Sequence, residues 1–194
     1  RSTPKPMDVF GGNWEGYMEK LAAGMAVIKP DDTTVLLGDL SWALDLANAK
    51  ADFAWINEIP GRKIILKGNH DYWWKSPKSI REILPKNTYI LQNDAIKIGN
   101  YIFCGNRGWQ IPEGQYNTSD DKKIYAREVC RLELSLQSAK KLQTADEKII
   151  FITHYPPFNT KREPSEFTDM LEKYGVHKVV FGHLHGYIHP KMYL

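Results

Sequence analysis

The stretch Ile64-Ile65-Leu66-Lys67-Gly68-Asn69-His70-Asp71 decides the reading of this chain. A β-branched apolar run that meets glycine and polar residues reads as a buried strand ending in a turn. Three other runs share the pattern. Val35-Leu36-Leu37 leads into Gly38-Asp39, and Ile149-Ile150-Phe151-Ile152 leads into Thr153-His154. Val179-Val180-Phe181 leads into Gly182-His183-Leu184-His185. Open α/β sheets bind ligands beyond the carboxyl ends of their strands. Four strand ends carrying Asp, Asn, His and His-x-His therefore predict one shared metal site.

The segments between these runs predict helices over 13–28 (capped by Asn13), 47–59, 79–84, 121–142 and 165–174. The last starts with a Ser-x-x-Thr pattern and is followed by Gly175. Strands over 89–91, 95–98 and 101–104, with turns at Asn93-Asp94 and Gly99-Asn100, read as a β-meander. A polar, Gly-rich loop over 105–120 is long enough to suggest function. The alternation favours a layered α/β domain over residues 1–194, with sheets inside and helices outside.

Composition narrows the function classes. The 194 residues suffice for one domain with a sizeable core, and 42% apolar with 25% charged residues is an ordinary globular balance. No apolar run approaches the about 20 residues of a membrane span. A net charge of +3, with Lys and Arg spread along the chain, argues against a nucleic-acid partner. Cys104 and Cys130 are the only cysteines and form no ligand-spaced pair, which predicts a reducing, cytoplasmic setting. A site without thiolate suits Mn, Fe or Zn held by oxygen and imidazole, not a structural zinc cage.

The residue types suggest the chemistry. Asp39 has two oxygens and can bridge two cations; Asn69 offers a neutral carbonyl. His183 and His185, two apart at a strand end, are expected to point the same way, with Leu184 turned into the core. Two metals a few ångströms apart hold the attacking and leaving oxygens of a displacement at phosphorus, with a shared hydroxide as nucleophile. His70 is expected to donate a proton to the leaving oxygen, and Asp71 to orient it. Arg107, in Gly105-Asn106-Arg107-Gly108, is a candidate phosphate clamp. Trp73 and Trp74 read as core or rim packing, and His177 and His189 as surface or capping residues.

Gly38-Asp39, Gly68-Asn69-His70-Asp71, His154 and Gly182-His183-Leu184-His185 together resemble the calcineurin-like metallophosphoesterase family. The resemblance implies a four-layer α-β-β-α sandwich and a dinuclear centre of two divalent ions, manganese favoured. It implies that Asp39 bridges the ions, that Asn69, His154 and His183 bind one of them, and that His185 binds the other. It implies that His70 and Asp71 form an acid dyad. The family's opening Asp-x-His is absent, so its first strand, and some C-terminal residues, are expected to lie outside the chain as given. The Asp-Arg that follows Gly-Asp in many phosphoprotein phosphatases is replaced by Trp42-Ala43. That points to a small bacterial-type phosphohydrolase with an apolar rim and a small phosphate-ester substrate. Monoesterase, cyclic-nucleotide or other phosphodiesterase, and nuclease all stay open, as does a non-catalytic protein-binding scaffold.

Overall fold

The computed structural model describes residues 7–185. Its strands are β1 (Thr33–Leu36), β2 (Arg62–Leu66), β3 (Thr88–Leu91), β4 (Asp94–Ile98), β5 (Tyr101–Asn106), β6 (Lys148–Thr153) and β7 (Lys178–Phe181). Its α-helices are α1 (Tyr17–Met25), α2 (Leu46–Asn57), α3 (Pro77–Arg81), α4 (Ser119–Leu142) and α5 (Glu166–Lys173). The first sheet has the order β1-β2-β3, all parallel. The second has the order β4-β5-β6-β7, with β4 antiparallel to β5 and the remaining pairs parallel.

Period-two alternation sorts the side chains into three apolar layers. Val35 and Leu37, Ile64 and Leu66, and Leu91 face Ile96, Phe103, Ile150 and Ile152 across the gap between the sheets. The alternate residues Leu36, Ile65 and Ile90 meet Phe53 and Ile56 of α2 and Ile80 of α3. Ile102, Cys104, Ile149 and Phe151 meet Leu132 and Leu136 of α4 and Phe167 and Leu171 of α5. Helix, sheet, sheet and helix are therefore stacked in the expected four layers.

Local chemistry explains the boundaries. Asp45 caps α2 by accepting from Asn48 N, and Ser76 caps α3 just before Pro77. Ser165 and Thr168 form a reciprocal capping box at the start of α5. Two expectations are corrected. The predicted helix over 13–28 starts only at Tyr17, because Gly11 and Gly16 take positive φ and turn the chain first. The predicted meander is split between sheets: β3 pairs with β2, and the chain crosses at Gln92-Asn93 before the β4–β5 hairpin. Asn93, with φ 62°, makes that crossing, so its Asn-Asp turn joins two sheets and not two paired strands. No helix among the described residues is long and apolar enough to cross a membrane.

Lys63 is an unusual member of this frame. It lies fully buried in central strand β2, and its ammonium donates to Ile59 O just beyond α2, at 2.7 Å. That carbonyl belongs to the negative end of the helix. Burial pulls the Lys63 pKa below the usual lysine value.

Two outcomes test these layers. Ile152→Ala, at the centre of the inter-sheet layer, is expected to cost about 2–5 kcal/mol in a urea melt. A loss well under about 1 kcal/mol would mean the two sheets do not pack through it. For Lys63, the unfolded chain holds the proton longer as pH rises, so folding gains stability towards the unfolded pKa. The wild type should therefore gain stability relative to Lys63→Met as the pH rises towards the usual lysine pKa. Parallel pH curves for the two proteins would refute the charge assignment.

Candidate metal centre

Four ligand candidates stand where four parallel strands end, two in each sheet. Asp39 and Asn69 follow β1 and β2, while His154 and His183 follow β6 and β7. The loops after β1 and β2 press backbone to backbone. Gly38 has φ 92°, and a Cβ there would come within 2.5 Å of Gly68 N and 2.9 Å of His154 Nδ1. A Cβ on Gly68 would fall on the Asp39 carboxylate. Both glycines are thus required by close approach. Asp39 (φ 55°) and His183 (φ 70°) also take left-handed backbone, a conformation that non-glycine residues keep only when their surroundings hold them there.

Asp71 provides much of that hold. It is fully buried, and its carboxylate accepts five N–H donors. Oδ2 accepts from Asp39 N (2.8 Å) and Gly68 N (2.7 Å). Oδ1 accepts from Leu40 N (2.8 Å), Ser41 N (3.3 Å) and the Trp73 indole (2.9 Å). Burial raises the Asp71 pKa, and the backbone donors pull it the other way. The expected orientation of His70 by Asp71 is therefore corrected: both carboxylate oxygens are engaged by the two ligand loops. The His70 ring instead meets the Tyr72 hydroxyl at 3.3 Å and lies against Trp42, with centroids 4.3 Å apart. His70 N donates to Asp39 Oδ1 at 2.8 Å, which turns Oδ2 towards the other candidates.

The remaining polar atoms converge. His154 Nδ1 lies 2.7 Å from Leu37 O. A carbonyl only accepts, so Nδ1 carries a proton, and in the neutral tautomer this selects, Nε2 presents a lone pair. That lone pair lies 2.7 Å from Asn69 Oδ1, 3.2 Å from His183 Nδ1 and 3.5 Å from Asp39 Oδ2. Asn69 Oδ1 also lies 3.1 Å from His183 Nδ1. Burial above all lowers the His183 pKa to about 4, so its ring is neutral near pH 7. A cation between these atoms would satisfy all four acceptors. Two donors each about 2.1 Å from one ion are themselves about 3.0–3.4 Å apart; both His183 Nδ1 distances fall in that range, while the other two, 2.7 Å and 3.5 Å, lie just outside it. The donor set fits a divalent metal. Among the described residues no three His, Cys, Asp or Glu side chains form a group that could hold a metal ion by themselves.

His185 differs from the expectation. β7 ends at Phe181, and the left-handed turn at His183 breaks the period-two rule. The His185 ring packs against Phe10 (4.3 Å) and Trp14 (5.9 Å), and its carbonyl accepts from the Trp14 indole at 3.1 Å. Its Nδ1 is buried with no hydrogen-bond partner among the described residues. An orphaned imidazole nitrogen of this kind also fits a missing ligand. Leu184 is 45% exposed and does not enter the core, for the same reason.

The rim holds two cations. The Arg107 guanidinium lies over Trp109 (4.8 Å) and makes a long contact with Glu128 (3.5 Å), a carboxylate shared with Arg131 (2.6 Å). Lys67 was overlooked in the sequence, although it stands between Leu66 and Gly68. It is half-buried, and no hydrogen bond or ion pair among the described residues holds its ammonium. Burial, then the Arg107 charge, lowers its pKa. Trp73 and Trp74 are core residues, and His177 is exposed. His189 lies outside the described residues.

No curated protein matches the chain. Among solved structures, a protein of unknown function from Aquifex aeolicus (AQ665) shares 19% identity over 84% of this chain and 73% of its own, with a TM-score of 0.40. The sequence model described as calcineurin-like phosphoesterase matches residues 8–187, nearly the whole length. The matched span takes in all four strand ends and their Asp, Asn and His ligand candidates, and the chain belongs to the calcineurin-like phosphoesterase family.

Proposed function

We propose that the protein is a metal-dependent hydrolase of small phosphate esters built on a dinuclear centre. The observation that carries this reading is the convergence of Asp39 Oδ2, Asn69 Oδ1, His154 Nε2 and His183 Nδ1 as four acceptors. These residues would hold one ion, and His185, with Asp39 shared, would serve a second. Oxygen and neutral nitrogen donors without thiolate favour manganese. Divalent ions bound there supply Lewis acidity at the phosphoryl group and an activated water.

The protein's own groups do the rest. His70 sits at the mouth of the site, braced by the Trp42 face and the Tyr72 hydroxyl, and hands a proton to the leaving oxygen. Asp71 holds the Asp39 and Asn69 loops together and acts on the chemistry only through their geometry. Lys67 and Arg107 supply positive charge for an anionic substrate. Cys104 and Cys130 are both free thiols, which supports a reducing, cytoplasmic setting.

The protein stripped of metal and reloaded with Mn²⁺ should release p-nitrophenol from p-nitrophenyl phosphate, its bis ester, or both. EDTA should abolish the release, and Asp39→Asn should not support it. Absence of release with two metals bound per chain would favour the scaffold reading. His70→Asn should slow turnover about 10²-fold with metal content nearly intact. Loss of metal in that variant would make His70 a ligand.

Asp71→Asn separates a fastening role from a dyad. Fastening predicts a stability loss of about 1–3 kcal/mol together with weaker metal binding. A dyad predicts unchanged stability and metal content, with a displaced acid limb in the pH–kcat profile.

A further inference from the structure

We propose that the preferred substrate is a phosphodiester with an apolar, ring-sized group on each side of phosphorus, one in each of two pockets that flank the candidate metal centre. The inference rests on the hydrolase reading for turnover, and on the pockets alone for binding.

One pocket, of about 350 Å³, is lined by Asp39 and Trp42 together with Met18, Leu21 and Met25 of α1 and Trp55 of α2. The other, of about 240 Å³, is lined by His183 and Tyr155 together with Ile111, Phe158 and Phe181. Asp39 and His183 lie 3.5 Å and 3.2 Å from the same atom, His154 Nε2. Each pocket thus counts among its lining a residue with a polar atom close to His154 Nε2, and a phosphorus bound beside that atom would have a pocket for each ester group. A cavity of roughly 150 Å³ accepts a benzene ring, so each pocket has room for one.

The walls have the character of binding surfaces. None of the side chains described for α1 is buried, and Leu21 is 43% exposed, so this helix presents apolar surface to the cleft without covering it. Methionines at 18 and 25 suit a surface that adapts to its ligand. In the other pocket Tyr155 packs in tilted contact with the His183 ring (4.2 Å) and Trp109 (5.3 Å). Phe158 stands edge-on to Phe181 at 5.3 Å. A monoester has one organic group and would leave one apolar pocket to water, which such a lining disfavours.

The test compares diphenyl phosphate with phenyl phosphate, binding to the Mn²⁺-loaded protein by tryptophan fluorescence. Diphenyl phosphate is expected to bind about tenfold more tightly or better. Leu21→Asp in the first pocket and Phe158→Asp in the second should each bring it to within about threefold of phenyl phosphate. Leu21→Met and Phe158→Leu should retain the preference, which separates pocket loss from misfolding. Equal binding of the two esters by the wild type, or an effect from only one of the two pockets, would overturn the proposal. A binding preference without any turnover sinks the hydrolase reading and leaves the two-pocket inference standing. Turnover that favours the monoester, without a binding preference, does the reverse.

Discussion

The buried carboxylate of Asp71 is the interaction on which the site depends. A fully buried charge is costly unless it is hydrogen-bonded, and this one accepts five N–H groups. Four of those donors are backbone groups of the loops after β1 and β2. The fifth is the indole of Trp73, which is itself sealed in the layer beneath. The same bonds that satisfy the charge set the left-handed turn at Asp39 and the close contact of Gly38 with Gly68. A carboxylate so used has no lone pair directed at His70, and the histidine is left to be positioned by Trp42 and Tyr72.

The second requirement is the distance between the two sheets. Asp39 and Asn69 end strands of one sheet, and His154 and His183 end strands of the other. Their polar atoms meet only because Ile64, Leu66 and Leu91 pack against Phe103 and Ile152 between the sheets. The apolar layer therefore decides whether four acceptors converge. Packed interiors deform little, which makes such a layer a firm mount for a metal centre.

Many elements were legible from local patterns. The ligand-bearing strands end near their predicted residues because each is a β-branched run closed by glycine or a polar residue. Ser165 and Thr168 announced the start of α5, since a capping box is a purely local bond pair. The failures have physical causes too. Nothing within residues 88–106 reveals that β3 pairs with β2, because sheet partnership is a long-range choice. The glycines at 11 and 16 carried a signal that the periodicity of 17–28 obscured. The His-x-His rule failed because it assumes an extended chain, and His183 is left-handed.

The sequence by itself determined the family, the four strand ends and the types of the candidate ligands, because each rests on residue identity and short-range spacing. Tertiary structure alone decided which atoms meet. It turned Asp71 from an expected partner of His70 into the fastening of two loops, since only the packed fold shows five donors on one carboxylate. It brought Lys67 beside Arg107, and it placed one apolar pocket against Asp39 and another against His183. The contacts of Asn69 with His183 and of Leu37 with His154 join residues more than 100 positions apart, and only the packing of the two sheets brings them together.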